Sequence, residues 1–466
     1  MKPKRKFSSR QFMIKTATVG ILLNMLLTPG IPAMAEAVKT PAKTESSSTE
    51  PKTTQTAPAK AVKIPSIESL GLNLKSAVLL EPITGQVLLS LNADEPLPPA
   101  SMTKMMTEYL VADAVKNGKF SWEDKVVVKE NAAKQIGSRI FLAIGDEHTV
   151  EELYIAMAVG SANDATVALA EYVSGSEQDF VKLMNETAQK MGMKTAYFIN
   201  TTGLDRADMP EKYQPESDRE TVMSAMDAAI LAKYIVTDHP DFTRFTTIQS
   251  YKFRERDKEP MINYNWMLEA NKDIANFKAY AYPGLDGLKT GHTNKAGNNF
   301  TGTAVRDEMR LISVVMGANS EAHRFTETKK VLDFGFNNFE IKQVIAPKSV
   351  VSGYETVPVQ KGKSKEMPVV TDAGVTFIVP KGTVNPAIKT TVQINDPATV
   401  VAPIAASTKL GKVTYSYKAD GMSEVQQKTV NLIATEEAEK AGWFKLLLRA
   451  IGEFFSDLFT GIKNLF

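Results

Sequence analysis

The sequence predicts an α+β domain, then a small all-β domain, then a C-terminal amphipathic helix. Three observations carry that reading. Short strand-like runs stand near both ends of residues 66–345, with helical periodicity between them. After residue 346 the texture changes to short alternating runs separated by Gly, Pro and Asn. From Trp443 onward, large apolar residues recur at three- and four-residue steps. The 466 residues allow two to four domains at roughly 100–200 residues each. Apolar residues at 43% and charged residues at 23% are globular values, which exclude a wholly disordered or many-span membrane chain.

Taken in order, residues 1–35 hold Lys2, Lys4, Arg5, Lys6, Arg10 and Lys15 and no acid, then an apolar run at 19–27 and Ala33-Met34-Ala35. A basic flank, a short apolar stretch and a small-x-small site read as a secretory signal peptide. The run is shorter than the ~20 residues a membrane span needs. Its removal turns a net charge of +2 into −4, with 49 Lys+Arg against 53 Asp+Glu, so no nucleic-acid partner is expected. Residues 36–65 are mostly Thr, Pro, Ala, Lys, Ser and Glu and read as a flexible linker.

Within 66–345, the runs 77–80 and 87–89 flank Gly85 as two strands joined by a turn. Helical patterns follow at 101–116, 150–158, 164–173, 177–191 and 224–236, and strand-like runs return at 299–305 and 310–317. Such terminal strands are expected to share one sheet. Residues 346–435 read as a separate β-rich domain, with alternating runs at 375–379, 391–394 and 413–417. In 436–466, Phe444, Leu447, Leu448, Ile451, Phe454 and Phe455 oppose Lys445, Arg449, Glu453 and Asp457. A helix over 443–466 would be ~36 Å long, enough to cross a bilayer. Charges recurring at every turn favour a helix lying in the membrane interface instead.

The chemistry is narrowed first by exclusion. No cysteine is present, which removes disulfides, thiolate metal sites and a cysteine nucleophile. Only His148, His239, His292 and His323 occur, none at metal-ligand spacing, so neither metal nor cofactor is expected. No GxSxG elbow or GxxxxGK[ST] phosphate loop is found, so a serine enzyme here needs a base other than histidine.

Lysine serves if it is kept neutral. Ser101-Met102-Thr103-Lys104 follows Pro98-Pro99 and opens a helix, and its spacing puts hydroxyl and amine on neighbouring positions of one face. The free N–H groups of that helix start suit a developing oxyanion. Glu108, four residues on, is expected to point elsewhere, since a direct ion pair would keep the lysine charged. Ser161-Ala162-Asn163 lies between two helical patterns, where a loop serine can relay a proton and an asparagine can hold a substrate amide. Lys289-Thr290-Gly291 sets a cation beside a hydroxyl, suited to a carboxylate, and a residue without a side chain that lets substrate or helix approach. A second lysine near Lys104 also disfavours its protonation. Alone, each element is weak, and a lone Lys-Thr-Gly is commonly a turn. In this order, the three are the working set of penicillin-binding proteins and class A β-lactamases.

Residues from about 66 to 466 resemble the D-alanyl-D-alanine carboxypeptidases of the penicillin-binding-protein-5 type. The stretch at 97–110 (LPPASMTKMMTEYL) is similar to enzymes of spore-forming Gram-positive bacteria, and 196–205 (AYFINTTGLD), 286–293 and 309–325 (MRLISVVMGANSEAHRF) match further. The resemblance implies a penicillin-recognising serine transpeptidase/β-lactamase-like domain, a β-rich domain and an amphipathic anchor. It implies Ser101 as the acylated nucleophile, Lys104 as its base, and Ser161 with Asn163 as the second wall of the cleft. Lys289, Thr290 and the backbone N–H groups of His292 and Ser101 then hold the terminal carboxylate and the oxyanion. Arg324 matches a basic residue near the substrate carboxylate, and Ser138 a serine on a loop over the cleft. By residue pattern alone, Arg324 is equally a surface helix cation and Ser138 a turn residue. The expected activity is removal of the terminal D-alanine from peptidoglycan stem peptides ending in D-Ala-D-Ala, at the outer face of the cytoplasmic membrane. β-Lactams are the expected covalent inhibitors. The alternatives are a class A-like β-lactamase, whose Glu-x-x-Leu-Asn loop is missing between Asn163 and Lys289, and a non-catalytic wall-binding scaffold.

Overall fold

In the computed structural model the described residues are 63–463, apart from Gly421 and Ser423. The expected signal peptide at 1–35 and nearly all of the linker at 36–65 lie outside them.

A hairpin opens the first domain, β1 (Ser76–Leu80) and β2 (Val87–Leu91), turning at Gly85 in the left-handed region. A 3₁₀ turn at Ala100–Thr103 leads into α1 (Lys104–Lys116), followed by β3 (Lys125–Val127), α2 (Glu130–Ala133) and β4 (Glu147–Thr149). Then come α3 (Val150–Gly160), α4 (Asn163–Ser174), α5 (Glu177–Met191), α6 (Ala225–Asp238) and the short α7 (Thr243–Thr246). Two-residue strands β5 (Ser250–Tyr251) and β6 (Met261–Ile262) precede β7 (Leu285–Thr293), β8 (Gly297–Arg306), β9 (Met309–Ala318) and α8 (Glu321–Asn338).

The expected sharing of terminal segments is observed. One antiparallel sheet runs β2-β1-β9-β8-β7, with Ser76 opposite Met316 and Leu80 opposite Ile312. Successive side chains in a strand point to opposite faces. Ala77 and Leu79 therefore pack with Leu311, Val315, Phe325 and Leu332 under α8, whereas Val78 and Leu80 pack with Ile312, Val314 and Met316 under α6. Both faces are covered, which is why these strands read as continuous apolar runs rather than as alternation. A third cluster, built on Val150, Leu153, Met157, Val167 and Leu169, packs α3 and α4 together with Val126 of β3. Helix α3 starts on a reciprocal cap in which Thr149 Oγ1 accepts the Glu152 N–H and the Glu152 carboxylate accepts the Thr149 N–H.

Beyond α8, β10 (Phe339–Ile345) pairs with β13 (Val375–Pro380). A second five-stranded sheet orders β11 (Thr356–Pro358), β12 (Glu366–Thr371), β16 (Gln426–Ala434), β15 (Lys409–Tyr417) and β14 (Lys389–Ile394). In β15, Val413, Tyr415 and Tyr417 are buried, matching the alternation in the sequence. Helix α9 (Trp443–Lys463) follows, and Arg449 ties it down by donating to Gly362 O (2.7 Å) and Lys363 O (3.0 Å). Its large apolar residues Trp443, Phe444, Leu447, Leu448, Phe454 and Phe455 are exposed. Among the described residues, no helix is long and apolar enough to cross a membrane.

Leu79 is fully buried between the sheet and α8, within a side chain's reach of the Gly335 backbone. Leu79→Ala is expected to destabilise the first domain by about 2–5 kcal/mol, because the rigid sheet cannot collapse onto the void. A thermal melt within a degree of the parent would contradict this packing.

Candidate active site

Ser101 does not lie in α1 itself but in the 3₁₀ turn ahead of it, half-buried, while Lys104 is the first residue of α1 and has 0% exposure. The Lys104 amine lies 3.0 Å from Ser101 Oγ and donates to Thr202 O at 2.8 Å. Burial comes first, and the nearby Lys289 charge second, in holding its pKa well below that of an ordinary lysine, against the opposing pull of Glu108 and Asp164. A neutral amine has one lone pair and two N–H donors, so an N–H given to Thr202 O leaves the lone pair for the serine hydroxyl.

The Thr202 carbonyl was not picked out by the sequence patterns, although it lies in the stretch AYFINTTGLD. It is fixed from several directions. Asn200 Oδ1 accepts N–H groups from Thr202 (3.2 Å) and Gly203 (2.7 Å), and Thr107 Oγ1 on α1 donates to Thr201 O (3.1 Å). Gly203 has φ +81° and runs so close to the Ser101 turn that a Cβ there would lie 1.9 Å from Ala100 O. A Gly in NTTGL is the signal that was available, because only glycine fits that backbone.

The second wall comes from the junction of α3 and α4. Ser161 ends α3 in the left-handed region, with φ +53°. Its Oγ is buried without a partner among the described residues. Asn163 opens α4, donating from Nδ2 to Ile136 O (2.6 Å) and from its N–H to Ser138 O (2.7 Å). Ser138 is thus placed over this wall by its carbonyl, and its side chain is exposed.

The third wall is β7, the edge strand of the sheet, and not a turn. An edge strand keeps outward N–H and C=O groups unpaired within its own sheet, available to whatever lies alongside. Lys289, Thr290 and Gly291 are buried on it, and the His292 side chain is exposed. Gly291 permits the contact, since a Cβ there would lie 2.4 Å from Pro99 O and 3.1 Å from Met102 N. Asn299 on β8 holds the same approach from behind, donating to Pro98 O (3.0 Å) and accepting the Gly317 N–H (2.8 Å).

Arg324 is buried at 2% exposure, not the surface cation its helical pattern allowed. Its charge acts on Lys289, whose pKa burial lowers first, Arg324 adding to the shift and Glu108 opposing it. Glu108 is free of the direct ion pair that would keep Lys104 charged, as expected, and its Oε1 has no hydrogen-bond partner among the described residues. It is buried one turn along α1, and burial raises its pKa against the opposing charges of Lys289 and Lys104. The low-dielectric floor therefore holds two lysines and a carboxyl together, which neutralises part of the charge without saturating the lysine amine. No cluster of His, Cys, Asp and Glu suited to a metal occurs among the described residues.

Along most of its length the chain is similar to known proteins. A family model described as D-alanyl-D-alanine carboxypeptidase matches residues 60–320, and one described as penicillin-binding protein 5, C-terminal domain, matches 339–440. The chain is 37% identical to D-alanyl-D-alanine carboxypeptidase DacF of Bacillus subtilis over 81% of this chain and 89% of that protein. It is 31% identical to DacC of Escherichia coli over 81% and 87%. Among solved structures, a peptidoglycan synthesis regulatory factor (PBP3) from Streptococcus pneumoniae matches with a TM-score of 0.67 and 30% identity, covering 79% of this chain and all of that one. Penicillin-binding protein 5 from Haemophilus influenzae matches with a TM-score of 0.63 and 30% identity, over 82% of this chain and all of that one. The chain belongs to the D-alanyl-D-alanine carboxypeptidase family.

Proposed function

We propose that Ser101 is the acylated nucleophile and that neutral Lys104 is its general base, in the removal of the terminal D-alanine from peptidoglycan stem peptides. The observation that carries this reading is the 3.0 Å approach of a fully buried lysine amine to the serine hydroxyl. Lys104 takes the Ser101 proton as Oγ attacks the penultimate D-alanine carbonyl. The backbone N–H groups of Ser101 and His292 receive the oxyanion. The peptide bond then breaks, and the amine of the departing D-alanine takes a proton relayed through Ser161. Water, deprotonated by the same lysine, hydrolyses the acyl-enzyme and restores Ser101. Lys289, Thr290 and Arg324 hold the substrate's free carboxylate, Gly291 lets the Ser101 turn lie against the strand, and Asn163 with Ser138 holds the peptide amides.

A β-lactam presents a strained amide to the same serine and leaves a stable acyl-enzyme. With residues 1–35 as an export signal and 36–65 as a tether, the enzyme works at the outer face of the cytoplasmic membrane. The exposed apolar face of α9 suits a helix lying on that membrane, since packing against the protein would have buried Trp443 and Phe444.

Release of D-alanine from a pentapeptide ending in D-Ala-D-Ala tests the reading directly; rapid penicillin turnover with no such release favours a β-lactamase, and neither activity favours a scaffold. Ser101→Ala is expected to abolish labelling by a fluorescent penicillin, and a labelled mutant would move the nucleophile elsewhere. The acylation rate should fall as pH drops through the depressed Lys104 pKa, because the amine becomes protonated, and level off above it. Lys104→Arg, fixed in the charged state, should lose about 10²–10⁴-fold and the pH limb with it; a persisting limb would remove Lys104 as base. Deleting 443–466 should leave activity intact while moving the enzyme from the membrane pellet to the supernatant. Continued sedimentation with membranes would count against α9 as the anchor.

A further inference from the structure

Between α2 and β4 the chain passes over Asn163 without regular structure, and its tip carries an outlier. Phe141 has φ +58°, a left-handed backbone that is disfavoured for a bulky L-residue. Burial of the ring does not compensate, since Phe141 is 68% exposed.

The conformation is nevertheless held firmly. The buried Asp164 carboxylate accepts the N–H groups of Ile140 and Leu142, each at 3.1 Å, one on either side of Phe141. Arg254, paired with Asp257, donates to Ile140 O and Phe141 O. Two side chains from outside the loop therefore impose a strained backbone whose visible product is an aromatic ring presented to solvent. Strain that its surroundings over-determine in this way marks functional positions. The Arg139 guanidinium lies 4.7 Å from the ring centroid, so the exposed surface pairs an apolar face with a cation.

The location selects the ligand. Asp164 follows Asn163, whose side chain holds Ile136 O in the same loop, so the first turn of α4 fixes both the cleft wall and the displayed ring. An extended peptide advances ~3.3 Å per residue, so the residues preceding a terminal D-Ala-D-Ala lie beyond the reacting bond, and the loop tied to Asn163 through Ile136 O and Ser138 O is a surface that can meet them. We propose that Phe141 and Arg139 form a subsite for the residue preceding D-Ala-D-Ala, stacking a long aliphatic side chain on the ring and pairing its carboxylate with the guanidinium. The inference rests on the carboxypeptidase reading above.

The test compares three substrates on the full-length enzyme: a pentapeptide whose third residue has a long side chain ending in a carboxylate, its side-chain amide, and an N-acetylated D-Ala-D-Ala dipeptide. Phe141→Ala should lower kcat/KM about tenfold for both pentapeptides and leave the dipeptide within about twofold. Arg139→Ala should lower it about tenfold for the acid only. Equal losses on all three substrates, or none on any, would overturn the subsite. Phe141→Gly relaxes the backbone and should melt at or above the parent while losing pentapeptide activity; a lower melting temperature would show that the ring serves stability instead. If the parent releases no D-alanine from any substrate, the carboxypeptidase reading fails rather than this one.

Discussion

Keeping the Lys104 amine out of water is the constraint on which the site depends. A lysine in solvent is protonated at neutral pH and cannot take a proton from serine. Here the desolvation is accomplished by the stacking of the Ser101 turn on the sheet edge and by the NTTGL loop that closes over it. Two glycines make those contacts possible, Gly291 against Pro99 and Gly203 against Ala100, at distances that exclude any side chain. The lowered pKa of one residue is thus created by the packing of three separate segments, at 98–104, 200–203 and 285–293.

Charge is distributed to serve the same end. Lys289 and Arg324 bring positive potential to the wall proposed to hold the substrate's carboxylate, and Lys289 also disfavours protonation of Lys104. Unopposed, buried charges of one sign would destabilise the fold. Glu108 opposes the two lysines from within α1, its own pKa raised by burial and lowered by their charges, and Glu321 pairs with Arg324 at 3.5 Å. Because Glu108 makes no direct ion pair with Lys104, it balances the pocket's charge while leaving the amine available. The opposite wall is organised by hydrogen bonds instead. Asn163 and Asp164, adjacent at the start of α4, hold the 136–142 loop through its backbone at successive positions.

Much of this was legible in residue order. The SxxK, Ser-x-Asn and Lys-Thr-Gly elements name their chemistry by side-chain type and short spacing. Ser101 and Lys104 meet because three residues of helical turn bring them together, a local fact. The shared sheet of the first domain followed from apolar strand runs at both ends, and the alternation at Val413, Tyr415 and Tyr417 exposed β15. The short strands β11 and β12 escaped notice because Pro358, Glu366 and Pro368 break the apolar pattern there. The family resemblance placed Arg324 and Ser138, which no local pattern distinguishes from a surface cation and a turn residue.

Other features arise only when distant segments meet. Thr202 acts through a backbone carbonyl, which any residue supplies, and its partner lies 98 positions away. Glu108 was legible as the i,i+4 neighbour of Lys104, but a helical wheel does not show the Lys289 that β7 brings alongside. Phe141 is an unremarkable apolar residue until Asp164 and Arg254 fix its backbone in a strained state. By itself, the sequence determined which groups were available and which of them were local neighbours, since both follow from side-chain chemistry and helical or strand period. Tertiary structure alone decided their protonation and orientation, because desolvation and long-range charge depend on what the fold packs around each group.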